Sequence, residues 1–332
     1  MKASSALTLL SLASGSLAWE WGKSGKWDNK LLNGTATINY TTITGFFQQD
    51  DPATDASTFD YTKSNFGLIN RTYPTDSRFD PQNERTQWER FAYYVDTLNR
   101  DSDSNSQYKV LFMGRHGEGY HNAAESFYGT PAWNCYWGPL DGNGTVTWRD
   151  AHLTAAGIAQ CTKARAFWTH ALAVSKTPAP QSYYSSPLTR AATTANLTFA
   201  SLPRDRPFAP VVKEGLREGI SVRTCDARPD RAALPRFFRF EPGFAARDEL
   251  WRGDEGRGET DDAHIARTRA VLDDLFAADP KTWISNLRVL GHRAFGLSTG
   301  QAIPVLVEAR TLSGGYGYGY GYGYCGLASF GV

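Results

Sequence analysis

The stretch Val110-Leu111-Phe112-Met113-Gly114-Arg115-His116-Gly117-Glu118-Gly119-Tyr120-His121-Asn122 decides how the chain is read. Four apolar residues closed by a glycine predict a strand buried on both faces, as in a parallel sheet. The polar residues fall just past its C-terminal end, where open α/β sheets bind their ligands. The glycines let the backbone approach a ligand closely, Arg115 offers a planar fork of donors, and His116 offers a nitrogen nucleophile. Together these features fit a phosphate group. The Gly-x-Gly spacing is no dinucleotide fingerprint, because Arg and His stand where that turn requires small residues.

Working outward, the same alternation of strand and helix recurs. Trp88, Phe91, Val95 and Leu98 repeat at helical spacing over Thr86–Leu98, a stripe that reads as core packed on the sheet. Between Tyr128 and Trp148, aromatic residues mixed with glycine and proline predict a long loop over one side of the site. A second helix is expected from Leu153 to about Val174 with Thr154 as its N-cap. A strand follows over Pro178–Tyr184, and then a turn, Ser185-Ser186-Pro187, leading into a helix with Arg190 in its first turn. A cation there opposes the helix dipole unless an anion is held between it and the helix amides. Val211–Glu218 is a further strand-like run carrying two carboxylates, Glu214 and Glu218, either of which suits a general acid. The predicted fold is a three-layer α/β/α sandwich around a mostly parallel sheet.

With 332 residues, 41% hydrophobic and 21% charged, the chain can bury one sizeable core. Lys+Arg of 35 against Asp+Glu of 34 gives a net charge of +1, so no global field favours nucleic acid or an acidic membrane. Met1-Lys2, the apolar run Ala6–Leu17 and the small-residue site ending at Ala18 predict a secretory signal peptide over 1–18, and hence a secreted protein beginning at Trp19 that needs no membrane once the signal is removed. Asn33, Asn39, Asn70, Asn143 and Asn196 each stand in an N-glycosylation sequon, which agrees with that route. Four cysteines, Cys135, Cys161, Cys225 and Cys325, would allow three pairings in an oxidising compartment. The expected organisation is the signal at 1–18, a single domain over 19–312 with an N-terminal extension 19–108, and a Tyr/Gly tail at 313–332 whose glycine content denies it a core.

Arg115-His116-Gly117-Glu118 followed by Asn122 resembles the first signature of the histidine phosphatase superfamily, the phosphoglycerate mutase-like proteins. The longer string to Asn122 is similar to the fungal secreted and cytosolic members. That resemblance implies a phosphoglycerate mutase-like fold with His116 as phosphoryl acceptor and with Arg115 and Asn122 holding phosphate oxygens. Ser186-Pro187-Leu188-Thr189-Arg190 is similar to the string that supplies a second phosphate-binding arginine, Arg190. Leu216-Arg217-Glu218 resembles the segment carrying the proton donor, which selects Glu218 and leaves Glu214 in reserve. The implied ligand is a small-molecule phosphomonoester or inorganic phosphate, with no metal or organic cofactor. Two other readings stay open: a phosphoglycerate mutase-type phosphomutase, and a non-catalytic anion-binding relative.

One part of the pattern is missing. Thr282–Ser285 reads as the next strand, yet Leu287–His292 looks like the tail of a helix, leaving too little chain for a parallel crossover of roughly 10–12 residues. The resemblance implies a second histidine in a turn after that strand, and no such turn follows Ser285. His292 would sit a helix-length away, and losing one preorganised donor of that kind can cost on the order of 10²–10³ in turnover. An impaired catalyst and a damaged sheet are therefore expected. His152 and His170 are read as structural or exposed, and His264 as exposed at the start of a helix. Arg204–Arg269, with its mixed charges, is read as a solvated lid or insertion.

Overall fold

In the computed structural model, residues 37–203, 207–287 and 295–312 are described, together with the backbone pairing of three short segments before them, Leu7–Leu9, Leu17–Trp21 and Trp27–Leu31. The expected signal cleavage, the Asn33 sequon, His292, and the Tyr/Gly tail with Cys325 lie outside what is described in full. The strands are β1 (Thr37–Thr42), β2 (Ser106–Gly114), β3 (Ser182–Ser185), β4 (Val211–Val212), β5 (Arg239–Phe240), β6 (Trp283–Leu287) and β7 (Ala302–Leu312). They lie in the order β1-β7-β2-β6-β3-β4-β5, with Leu7–Leu9 on the outer edge beside β1. β2, β6, β3, β4 and β5 pair parallel in that succession, while β7 runs antiparallel to both β1 and β2. The sheet is thus mostly parallel, and β2, whose last six residues are all buried, lies near its middle.

Helices cover both faces: α1 (Gln87–Asp101), α2 (Tyr120–Tyr128), α3 (Ala155–His170), α4 (Thr189–Phe199) and α5 (Asp261–Ala278). α1 begins where a capping box allows it: Thr86 Oγ1 accepts from the Glu89 amide, and Glu89 accepts back from the Thr86 amide. Its apolar stripe lies on β2, where the Phe112 ring meets Trp88 and, from α3, Trp168. α5 takes the opposite face, with Phe276 against Tyr40 of β1. There Lys109, fully buried, donates to the carbonyls of Asp279 and Lys281 just past the end of α5, the terminus that favours a cation. Burial pushes its ammonium down to about 8, against the pull of Asp279. The three layers are those the sequence predicts.

Several expectations need correction. The stretch predicted as a loop from Tyr128 to Trp148 is helical in its first part: it follows α2, which ends at Tyr128, with helical turns over Thr130–Ala132 and Trp133–Trp137. Trp133 and Trp148 are buried with Ala124, Ala151 and Cys225 as a satellite core, while Phe127 and Tyr136 face solvent. The extension before β2 packs into the main core, where Phe47 and Phe66 are fully buried against Trp88. Cys135, Cys161 and Cys225 are all unpaired thiols, so the described cysteines form no bridge.

The largest correction concerns the missing crossover. Leu287, read as the first residue of a helix tail, instead continues β6 with Asn286, Asn286 lying opposite Met113 and Leu287 opposite Ser185, while the rest of that reading, to His292, lies outside the described residues. β7 then starts with Ala302 opposite Gly114, the last residue of β2. Because β7 is antiparallel, the chain leaves β6 and begins β7 at the same edge of the sheet, and no crossover helix is required. The sheet is continuous there, with β7 paired to β2 over nine residues.

Candidate active site

The turn after β2 is held by close backbone packing. A Cβ on Gly117 would lie 2.6 Å from the carbonyl oxygen of Gly157, and one on Gly157 would lie 2.1 Å from that of Glu118. Only hydrogen fits at either place, so the first turn of α3 presses directly on the residues around His116. Thr154 caps α3 by accepting from the Gly157 amide and donates to Glu118 Oε1 at 2.6 Å. Gln160 accepts from the Glu118 amide, and Thr194 of α4 accepts from the Gly117 amide. The turn is therefore locked to two helices.

His116 is 5% exposed. Its Nδ1 lies 2.7 Å from the Gly117 carbonyl, which can only accept, so Nδ1 carries the proton and Nε2 is the nitrogen left for chemistry. Arg190 Nε approaches Nε2 at 3.1 Å and Glu218 Oε1 approaches it at 3.2 Å. Arg190 also donates from Nη2 to Glu218 Oε2 at 3.3 Å and from Nη1 to the Cys225 carbonyl at 2.7 Å. The guanidinium is wholly buried; burial opposes its charge, and Glu218 leads the groups that hold its ionisation above the ordinary arginine value.

Local structure explains why Arg190 points here. It occupies the first turn of α4, whose N-terminus is capped from outside: Asp150 accepts from both the amide and the hydroxyl of Thr189, at 2.9 and 2.5 Å. Burial pushes the Asp150 carboxyl up to about 6, against the Thr189 hydrogen bonds and the nearby Arg190.

Glu218 is placed by its backbone. Arg267 of α5 donates to the carbonyls of Gly215, Arg217 and Glu218, and Glu259 holds its guanidinium. Burial disfavours the Glu218 carboxylate, but the His116 contact and then the Arg190 charge outweigh it, holding the carboxyl well below the usual range. About a third of this side chain (35%) is exposed, so it forms the solvent side of the cluster.

Glu214, the reserve acid, does not reach His116. It bridges the buried Arg217 and Arg228 at 2.8 and 2.7 Å, and Arg217 further pairs with Asp248. Buried charges persist only when paired this way, so these residues form a scaffold where a solvated lid was expected. The remaining candidates sit at the rim. Arg115 is half-buried with Nη1 bonded to the Leu297 carbonyl, and Asn122 accepts from the Gly119 amide as part of the α2 cap. His152 and His170 are exposed, as expected; His264 is half-buried beside Glu259.

The structure adds a residue that the sequence reading passed over. His121, 7% exposed, places its ring 5.3 Å from that of His116. Burial first, then Arg190 and His116, hold it well below the ordinary histidine value, so it is neutral. Its position five residues after His116, on the inner face of a helix rather than in a loop, was the missing signal.

The family model for the histidine phosphatase superfamily (branch 1) matches residues 137–295, a span that holds Arg190 and Glu218 and starts after the His116 turn. A probable phosphoglycerate mutase of Arthroderma benhamiae is 46% identical over 289 residues, covering 82% of this chain and 85% of that protein. Phosphomutase-like protein 3 of Candida albicans is 30% identical over 303 residues, 86% of each chain. The chain belongs to the histidine phosphatase superfamily and, within it, is similar to fungal proteins named for phosphoglycerate mutase. The solved ecdysone phosphate phosphatase from Bombix mori overlaps 65% of this chain and 97% of its own at 14% identity and a TM-score of 0.37, too loosely to bear on the chemistry.

Proposed function

We propose that the protein hydrolyses small phosphomonoesters through a phosphohistidine on His116 Nε2. One observation supports this above the rest: Nε2 has a buried guanidinium 3.1 Å away and a carboxylate 3.2 Å away, the two bonded to each other, while Gly117 fixes the opposite nitrogen. When Nε2 is protonated it can donate to Glu218. Passing that single proton to the carboxylate bares the nucleophile and loads the acid together.

The lone pair of Nε2 then attacks phosphorus while the bond to the ester oxygen breaks, and the alkoxide takes the Glu218 proton as it leaves. Arg190 neutralises the phosphoryl oxygens, with the remaining N–H groups of Arg115 and the amide of Asn122 as further donors. In the second half a water attacks phosphorus, its proton passes to Glu218, and inorganic phosphate departs with the Nε2 lone pair restored. A mutase would run the first half alike and return the phosphoryl group to its product. The partial exposure of Glu218 gives water a route to the phosphorylated nitrogen, which favours hydrolysis.

Release of phosphate from p-nitrophenyl phosphate and a panel of alkyl phosphomonoesters, beside a His116→Ala control, tests this. Equal release by both proteins defeats it. Phosphate binding without turnover supports a non-catalytic relative, and transfer to an acceptor sugar acid in place of water supports the mutase. We further propose secretion after removal of residues 1–18; protein recovered from medium should begin at Trp19. Asn70 and Asn143 are the exposed sequons that would then carry glycan.

A further inference from the structure

Among the described residues outside the trio of His116, Arg190 and Glu218, one buried polar group beside the same centre has no partner. His121 Nδ1 is shut away from solvent and makes no hydrogen bond. Buried polar atoms are nearly always satisfied, so an exception beside a reaction centre calls for a reason. The Nδ1–Cε1 edge of the ring lies on Gly119, where a Cβ would come within 2.7 Å of Nδ1 and 2.8 Å of Cε1. That contact offers no acceptor for an N–H at Nδ1. The neutral ring therefore does better with its proton on Nε2, which leaves Nε2 as a donor.

We propose that His121 Nε2 donates a hydrogen bond to an oxygen of the transferring phosphoryl group, a further catalytic residue for this site. The assignment rests on the phosphohistidine reading above. During transfer, charge on the equatorial oxygens must be met by groups already in place, and the helix fixes this ring without help from a flexible loop. Arg190 and Arg115 act on His121 from nearby, so the anion they attract is brought to the same ring. A neutral imidazole completes the set without adding a third buried cation, whose desolvation would be costly. α2 thus has two tasks: Asn122 caps it, and His121 reaches inward one residue earlier.

Orthovanadate, which takes up the five-coordinate geometry of the transfer step, and inorganic phosphate, which does not, are the probes, with binding read by calorimetry on the full chain. His121→Phe is expected to weaken vanadate binding by about 10²-fold and phosphate binding much less. His121→Gln, whose amide nitrogen reaches the Nε2 position, is expected to recover most of the loss, and His121→Asn, which reaches only the Nδ1 position, is not. Gly119→Ala, which keeps the imidazole but pushes its ring aside, is expected to lose vanadate affinity as well, and it stands in should His121→Phe fail to fold. Melting temperatures run alongside. A folded His121→Phe with unchanged vanadate affinity overturns the proposal, and so does a pattern that follows melting temperature with Gln no better than Asn. Vanadate binding that depends on His121, in a wild-type protein that hydrolyses no phosphomonoester, overturns the hydrolase reading and leaves the donor assignment standing.

Discussion

His116 Nε2 and Glu218 Oε1 lie 3.2 Å apart with Arg190 bonded to both residues, so in the proposed reaction one proton serves nucleophile and acid. Only the singly protonated pair is competent. The pH dependence of kcat/KM, corrected for substrate ionisation, should therefore be bell-shaped and belong to the pair as a whole. Because the contact with His116 and the Arg190 charge hold Glu218 well below the usual carboxylate range, the acid limb should lie below the pH at which an ordinary carboxyl titrates. In Glu218→Gln the alkaline limb should vanish. Alkyl phosphates should slow by roughly 10²–10⁴, and p-nitrophenyl phosphate, with its better leaving group, much less. A retained alkaline limb in Glu218→Gln would refute the shared proton.

Arg190, itself wholly buried, makes three directed contacts, from Nε, Nη1 and Nη2. A lysine carries the charge but cannot reproduce the fork. Arg190→Lys is expected to lower kcat/KM by roughly 10²-fold or more while the protein remains folded by circular dichroism.

Gly157→Ala should be far more harmful than its size suggests. The new methyl meets the Glu118 backbone, which has no side-chain end to swing away. Overpacking of this kind costs about 1–3 kcal/mol, and here the displaced atoms adjoin the His116 turn. Activity and denaturation midpoint should fall together, measured on the same preparation.

Asp150 caps α4 from a different part of the chain, so Asp150→Ala should destabilise the protein by about 0.5–2 kcal/mol. Its folded value of about 6 is above the ordinary carboxyl value. Between those two the folded state holds the proton more tightly than the unfolded chain, so this group's contribution is fully present below the ordinary value and is lost as pH rises to about 6. Asp150→Asn keeps the acceptor and should flatten stability over pH 4–6 in urea titrations.

Glu214 is a structural ion, bonded to Arg217 and Arg228. Removing one partner of a buried pair leaves an uncompensated charge, so Glu214→Gln should cost about 3–5 kcal/mol in unfolding free energy. Whatever folds should retain the wild-type pH profile, which separates Glu214 from Glu218.

How far the sequence speaks for the structure varies along the chain. β2, the Thr154 cap and the position of Arg190 in its helix are legible because each rests on local chemistry: an apolar run, a capping side chain, a turn before a helix. The clustering of His116, Arg190 and Glu218 followed from resemblance, since no spacing along the chain brings residues 116 and 218 together. Three readings failed where tertiary context decides. Arg217 and Arg228 look solvated until their partners, Glu214 and Asp248, are seen folded over them. His121 sits between residues already assigned, with nothing in the string to say that its ring turns inward. The strand β6 looked truncated because a helix was expected to return the chain, and the antiparallel direction of β7 is a property of the sheet that no stretch of β7 announces.

That direction has an evolutionary side. Since β6 finishes and β7 starts along one rim of the sheet, close to Arg115, the connection between Leu287 and Ala302 can grow or shrink without re-registering a single strand. Lengthening a loop adds closure entropy only slowly, about 0.6 kcal/mol per doubling. Descendants of this scaffold can trade segments at that rim, changing what stands beside Arg115, provided that Phe295 keeps its place against Phe59 in the core.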